Sequence, residues 1–294
     1  MVKKINTTEI KNLLVIVPHQ DDEILIAAGL IREVVKNNGI VNVVLATNGD
    51  YGCRDYSKGY SRMRECIKGL EILGVNENQI FFLGYADTGM NREDSFLYRM
   101  YKEQNTNKIL ASITSKLTYG ISEKEEFHYQ LYHEHAQYTK QNFITDLKTL
   151  IEIIQPDTIV TTHQEDIHGD HEALFYFVRD ILVDISHKKP QLYSGLVHSK
   201  AGDGLWPERD NAKFTKPEYN TNQKLLWENR YILDLKDEMN SGKCDCNLKY
   251  KALLEHKTAL EPNAVDFLEA FIKDEEIFWK IDLECYEKRN NIPN

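Results

Sequence analysis

The stretch that decides the fold is Leu13-Leu14-Val15-Ile16-Val17-Pro18-His19-Gln20-Asp21-Asp22-Glu23, followed by ILIAAGLIREVV to residue 35. Residues 13–17 form a continuous apolar run, the pattern of a strand covered on both faces. The polar turn 19–23 then opens an apolar helical stretch from residue 24 to about 35. Asn37-Asn38-Gly39 supplies the stop, because a helix end favours a residue that tolerates a left-handed backbone.

The same alternation continues outward. Residues 41–46 read as a second buried strand ending in Thr47-Asn48-Gly49-Asp50, and a helix from about 60 to 73 ends at Gly74. Residues 80–83 predict a short third strand. A helix over 142–154 stops before Pro156, a strand follows over 158–162, and a second polar turn at 163–170 leads into a helix over 172–185. Residues 192–197 fit one more strand. The prediction is an α/β fold, Rossmann-like, with a mostly parallel sheet flanked by helices and right-handed crossovers. Sites in such folds lie beyond the carboxyl ends of the strands, where both His/Asp-rich turns sit. Three stretches interrupt the pattern: about 91–137, about 199–228, and the segment from about 248, which reads as helical from Leu253, Leu254, Leu260, Phe267, Leu268 and Phe271. The first, rich in Tyr, His and Glu, is expected to line or cover the site. With no repeat and no low-complexity linker, 1–294 reads as a single domain.

Composition narrows the function classes. Hydrophobic residues make up 41% and charged residues 28%, an ordinary globular balance, and the formal net charge of −10 disfavours nucleic acid as a partner. The apolar run near the N-terminus is broken by Pro18-His19 and lacks a small-residue cleavage site, so it reads as a strand and not a signal peptide. No stretch has the apolar length of a membrane span. The five cysteines (Cys53, Cys66, Cys244, Cys246, Cys285) are odd in number and irregularly spaced. They predict reduced thiols and a cytoplasmic location.

The chemistry lies in the two turns. His19-Gln20-Asp21-Asp22-Glu23 and His163-Gln164-Glu165-Asp166-Ile167-His168-Gly169-Asp170-His171 each open a helix and each offer imidazole plus carboxylate. This is the donor set of a catalytic zinc site with three protein ligands and an open position. A hydrolase built there also needs a carboxylate to take a proton from water and a group to stabilise the developing oxyanion. Two adjacent aspartates can divide ligation and base duty, because neighbouring side chains on a turn point apart. His168 and His171 can both face one site while only one ligates. Carboxylates after a strand also serve simply as helix caps, but two such turns at two strand ends favour a metal.

These residues resemble the PIG-L/LmbE-like zinc de-N-acetylases. PHQDDE is similar to that family's His-Pro-Asp-Asp-Glu, and HGDH to its His-Pro-Asp-His. Arg62-Met63-Arg64-Glu65 with Leu73-Gly74, residues 80–89 (IFFLGYADTG), and Lys251-Ala252 with His256-Lys257-Thr258 resemble further family elements in order. The resemblance implies that His19, Asp22 and His171 bind one zinc per chain, with Fe2+ or another divalent metal as the alternative. It implies that Asp21 is the general base, that His168 is the electrophilic or general-acid histidine, and that Asp170 orients His168. Arg62 and Asp87 fall where the family contacts substrate, and Asp50 and Glu65 lie near the site. Gln20 and Gly169 replace the motif prolines, which puts loop stiffness in question.

The implied activity is removal of an N-acetyl or short N-acyl group from an amino sugar or sugar conjugate, such as an N-acetylglucosamine derivative, by metal-activated water. The alternatives are a metal-dependent phosphoesterase and a non-catalytic glycan-binding relative. The partner is a small N-acetylated sugar, with no nucleic acid and no integral membrane segment; self-association is the open addition. His133-Glu134-His135 invites a second metal and Tyr119, Tyr129 and Trp206 invite sugar stacking, but solvent exposure and packing are the simpler readings. Gly202-Asp203-Gly204 is a turn, and no GxGxxG opens the first helix, which disfavours a dinucleotide.

Overall fold

The computed structural model describes residues 3–185, 189–217, 225–236 and 238–286. After a two-residue strand β1 (Lys3–Lys4), strand β2 (Asn12–Val17) runs buried through the middle of the sheet. Its side chains alternate between two cores: Leu13, Val15 and Val17 join one, Leu14 and Ile16 the other. Five consecutive apolar residues are needed because neither face of this strand meets water.

Helix α1 (Asp22–Lys36), strand β3 (Ile40–Thr47), helix α2 (Ser57–Leu73) and strand β4 (Ile80–Tyr85) follow. Gly74 ends α2 with φ 92°, the left-handed conformation that the sequence reserves for glycine. Helices α3 (Phe96–Lys102), α4 (Phe127–Tyr132) and α5 (Lys140–Ile154) lead to β5 (Thr158–Thr162), α6 (Gly169–Asp184) and β6 (Gln191–Gly195). The chain closes with β7 (Tyr231–Asp234), α7 (Leu248–Glu255), α8 (Val265–Glu269) and β8 (Glu275–Ile281).

The eight strands form one sheet in the order β1-β7-β8-β6-β5-β2-β3-β4. β4, β3, β2, β5 and β6 are mutually parallel, while β8 is antiparallel to both β6 and β7. This is the mostly parallel α/β sheet flanked by helices that the sequence predicts. From β2 the chain crosses to β3 on one side, and from β5 to β6 on the other. The carboxyl ends of β2 and β5 therefore border the point where the winding reverses and a crevice opens.

Two corrections concern the C-terminal region. Helical periodicity from residue 248 does not anticipate β8, whose first residues, Glu275 and Glu276, are charged yet buried. Glu276 is accommodated because its carboxylate accepts the Gly29 and Leu30 N–H groups of α1 and pairs with the fully buried Lys249 ammonium at 2.9 Å. The expectation of reduced thiols fails at Cys244 and Cys246, which are bonded to each other with Cα atoms 5.3 Å apart, within ordinary disulfide reach. Of the expected insertion at 199–228, residues 218–224 lie outside the described residues.

Candidate active site

The turn after β2 and the loop after β5 meet across the crevice. His19 Nδ1 and His171 Nε2 stand 3.2 Å apart, and Asp22 Oδ2 lies 3.3 Å from each. All three residues are buried. Their outward edges fix the tautomers: His171 Nδ1 faces Asp166 Oδ2 at 3.1 Å, and His19 Nε2 faces Asp170 Oδ2 at 3.3 Å. A carboxylate can only accept, so the outward nitrogen of each imidazole carries a proton, and the inward nitrogen, facing Asp22, is where a metal would take the place of a second proton. Asp22 Oδ2 is itself held in place by the His19 backbone N–H at 3.0 Å.

His19 Nδ1, His171 Nε2 and Asp22 Oδ2 thus converge on one point, an arrangement that a cation suits. Donors on a tetrahedral zinc with bond lengths of about 2.0–2.1 Å stand about 3.3 Å apart, the spacing found here. The set fits a divalent metal by chemistry and by spacing. The local field is also right for one. Burial disfavours charge on Asp22, yet the facing His171 and His19 hold its carboxyl well below the usual range. Burial likewise opposes a charged His19, but Asp87, Asp170 and Asp22 raise its affinity for a proton well above normal, and the same field would favour a metal in that proton's place.

Asp21 does not belong to this triad. It sits at φ 125°, a backbone conformation that costs a non-glycine residue on the order of 1–3 kcal/mol. Glu23 holds it there, accepting the Asp21 N–H at 3.0 Å, while the Asp21 carbonyl starts α1 by accepting from Ile24 and Leu25. The strained turn turns the two aspartates apart: Asp22 to the imidazoles, Asp21 to Arg62 Nη2 at 3.2 Å. Burial pushes the Asp21 carboxyl up to about 6, against the pull of Arg62. Arg62 is itself largely buried and also donates to the Gln20 carbonyl, so it braces the turn besides bordering the crevice.

His168 is the N-cap of α6, its Nδ1 accepting the Asp170 N–H at 3.2 Å. Nε2 is therefore the protonated nitrogen. Burial, and then the neighbouring His19, His171 and His198 rings, hold its pKa well below normal, so the ring stays neutral. Asp170 differs from expectation: its side chain does not orient His168. One oxygen reaches His19, and the other accepts from Ser95 Oγ and the Leu97 N–H. The physical reason is local: at the first turn of α6 the Asp170 N–H, and not its carboxylate, is directed at the cap.

A family model described as PIG-L, GlcNAc-PI de-N-acetylase, matches residues 14–182, which span both turns. The chain belongs to the PIG-L family. It is accordingly an N-deacetylase, a hydrolase. No curated protein matches the sequence. Solved structures share the fold: N,N'-diacetylchitobiose deacetylase from Pyrococcus horikoshii (16% identity, 95% of this chain and 86% of that one, TM-score 0.54), the A40926 pseudoaglycone deacetylase Dbv21 (13%, 92% and 97%, 0.55), and the zinc-inhibited form of teicoplanin deacetylase Orf2 (14%, 91% and 97%, 0.53).

Against the PIG-L motifs, the two missing prolines have local replacements. Gln20 donates its amide to the Thr47 carbonyl at 2.7 Å, pinning the turn after β2 to the end of β3. Gly169 packs so closely that a Cβ would stand 2.6 Å from Ser95, and its N–H, which proline lacks, donates to Met90 at 2.8 Å. Loop stiffness is thus restored by hydrogen bonding and close packing.

The crevice is a cavity of about 380 Å³ bordered by His19, Asp21, Asp22, Arg62, Asp87 and His168. The Tyr/His-rich stretch 91–137 contributes none of the lining among the described residues; its Ser95 and Leu97 brace Asp170 from behind. The facing wall comes instead from Val197, His198 and Asp203 and from the C-terminal segment, with Thr258, Ala259, Phe267 and Leu268. Glu65 anchors that segment by accepting the Thr258 N–H and hydroxyl at 3.0 and 2.8 Å. Asp50 accepts the Asp87 N–H at 2.9 Å and the Tyr119 hydroxyl at 3.1 Å, so it sets the turn that carries Asp87. Tyr119 and Trp206 are buried packing residues. His135 pairs with Glu126, while His133 ends α4 in the left-handed conformation, so the His-Glu-His run does not act as one donor set. The reading from sequence missed Glu23, Asp166 and His198, all defined by partners remote in sequence or by a strained backbone.

Proposed function

We propose that the chain is a zinc-dependent hydrolase that removes an N-acetyl or short N-acyl group from an amino sugar or sugar conjugate. The observation that carries this reading is the convergence of three metal-donor atoms, His19 Nδ1, Asp22 Oδ2 and His171 Nε2, beside a separate buried carboxylate, Asp21, at the wall of one cavity. A metal held by His19, Asp22 and His171 would acidify water and polarise the acyl carbonyl.

Asp21 takes the proton of the attacking water. A carboxyl pushed up to about 6 is matched to accepting a proton near neutrality and returning it to the departing amine. Arg62 keeps Asp21 aimed and limits its rise. His168, neutral, protonated on Nε2 and bordering the cavity, donates to the carbonyl oxygen as charge develops there. Asp170 and Asp166 hold His19 and His171 in the lone-pair-inward tautomers. Asp87 and the free edge of Arg62 are read as contacts to sugar hydroxyls.

The sugar assignment draws support from the family and from the names of the fold neighbours, deacetylases of N,N'-diacetylchitobiose, of A40926 pseudoaglycone and of teicoplanin. No helix among the described residues is long and apolar enough to cross a membrane. All eight strands among the described residues share one sheet, which supports reading 1–294 as a single catalytic domain. The test is acetate release from a panel of N-acetylglucosamine conjugates by protein stripped with chelator and then given one equivalent of zinc. Zinc-restored release is expected. Silence on every conjugate with zinc bound would remove the acetamido-sugar assignment.

A further inference from the structure

Two histidines border the cavity beyond the donor triad, and the mechanism above uses only His168. The other, His198, follows β6 at the same end of the sheet. Its backbone N–H and that of Val197 both donate to Asp166 Oδ2 at 3.0 Å, the oxygen that also receives His171 Nδ1–H. His198 is thus braced by the carboxylate that orients a member of the triad. Its ring lies nearly parallel to Phe267, with centroids 5.0 Å apart and planes at 15°. Nδ1 stands 3.0 and 3.1 Å from the two Asp203 oxygens.

Backbone, ring face and Nδ1 edge are therefore each fixed by a different part of the chain. The remaining polar atom, Nε2, has no hydrogen-bond partner among the described residues, and the side chain lines the cavity. A solvated, idle histidine needs no such supports. A ring held on three sides with one free nitrogen beside the reaction centre is arranged for a ligand.

Resting on the deacetylase reading, we propose that His198, positioned by Asp203 and Phe267, is a substrate-binding residue that hydrogen-bonds a ring hydroxyl next to the acylated nitrogen. A hydroxyl is the fitting group because it both donates and accepts, and so pairs with Nε2 in either proton state of the ring. The His198 ring lies 5.3 Å from that of His171 and 5.6 Å from that of His168. That proximity puts its partner on the sugar itself and not on a distant aglycone. The specificity that follows is for amino sugars with that hydroxyl free.

The test compares wild type with His198→Leu on an N-acetylglucosamine glycoside and on analogues each lacking one ring hydroxyl. One deletion should lower wild-type kcat/KM by about tenfold, the scale of one lost hydrogen bond. His198→Leu should lose a similar factor on the parent and nothing further on that one analogue, with zinc content and melting temperature unchanged. Asp203→Asn should show the same pattern at reduced size, and His198→Gln replaces the Leu variant if that one folds poorly. Equal losses in both enzymes for every analogue, or wild-type kcat/KM in His198→Leu, would overturn the proposal. If wild type hydrolyses no member of the panel, the deacetylase reading has failed separately. Calorimetric binding of the free amine and its deoxy analogues then decides on His198 by the same comparison.

Discussion

Asp166 offers the sharpest perturbation, because one buried carboxylate serves four donors. Oδ2 accepts His171 Nδ1–H at 3.1 Å and the Val197 and His198 N–H groups at 3.0 Å, while Oδ1 accepts the His168 N–H at 2.9 Å. In Asp166→Asn the amide oxygen can replace Oδ2, but its NH2 then faces the His168 N–H, donor against donor. One stranded backbone N–H costs about 1–3 kcal/mol of stability. A second effect of similar size falls on the metal: His171 loses the charged acceptor that orients its ring and raises its basicity. Removing such a partner weakens metal binding by about 10–100-fold, or about 1.4–2.8 kcal/mol. The assay is zinc competition against a chromogenic chelator, with calorimetric melting to read stability separately. A folded Asp166→Asn protein with zinc affinity within about threefold of wild type would refute the view that Asp166 fixes a ligand tautomer.

Asp21→Asn should retain stoichiometric zinc while kcat falls by about 10²–10⁴-fold; near-normal turnover of the zinc-loaded variant would exclude Asp21 as the base. Lys249→Met leaves the Glu276 carboxylate buried and unpaired, with expected destabilisation of about 3–5 kcal/mol in urea titration, and a loss below about 1 kcal/mol would mean the pair is dispensable for holding α1. Burial pushes the Glu23 carboxyl up from 4.5 to about 8, so the folded protein keeps a proton that the unfolded chain releases, and stability is lost as pH rises between those values. Glu23→Gln removes that slope: its melting temperature, at matched zinc occupancy, should fall less than that of wild type from pH 5 to 8, and parallel profiles would contradict the assignment.

What was legible in the sequence is what local pattern encodes. The run 13–17 had to be covered on both faces, and β2 sends its residues alternately to two cores. His19, Asp22, His168 and His171 were visible because both turns carry imidazole and carboxylate at strand ends, and the structure brings them together. Glu23 reads as an ordinary first-turn acid; its work is to hold a strained neighbour, which only coordinates reveal. Asp166 and His198 act through each other across separate loops, so neither stretch alone signals its task. β8 was hidden because Glu275 and Glu276 suggest a solvated face, whereas Lys249 and the α1 backbone satisfy Glu276 internally. The stretch 91–137 was misplaced for a related reason: richness in Tyr and His marks chemical capacity but not direction, and Ser95 and Leu97 face the back of Asp170.

The most direct test of the central claim is a zinc titration of chelator-stripped protein, with bound metal counted per chain in wild type and single variants. One zinc per chain is expected, retained in Asp21→Asn and lost or greatly weakened in His19→Ala, Asp22→Ala and His171→Ala. Two zincs per chain, or one zinc that survives removal of all three donors, would contradict the account.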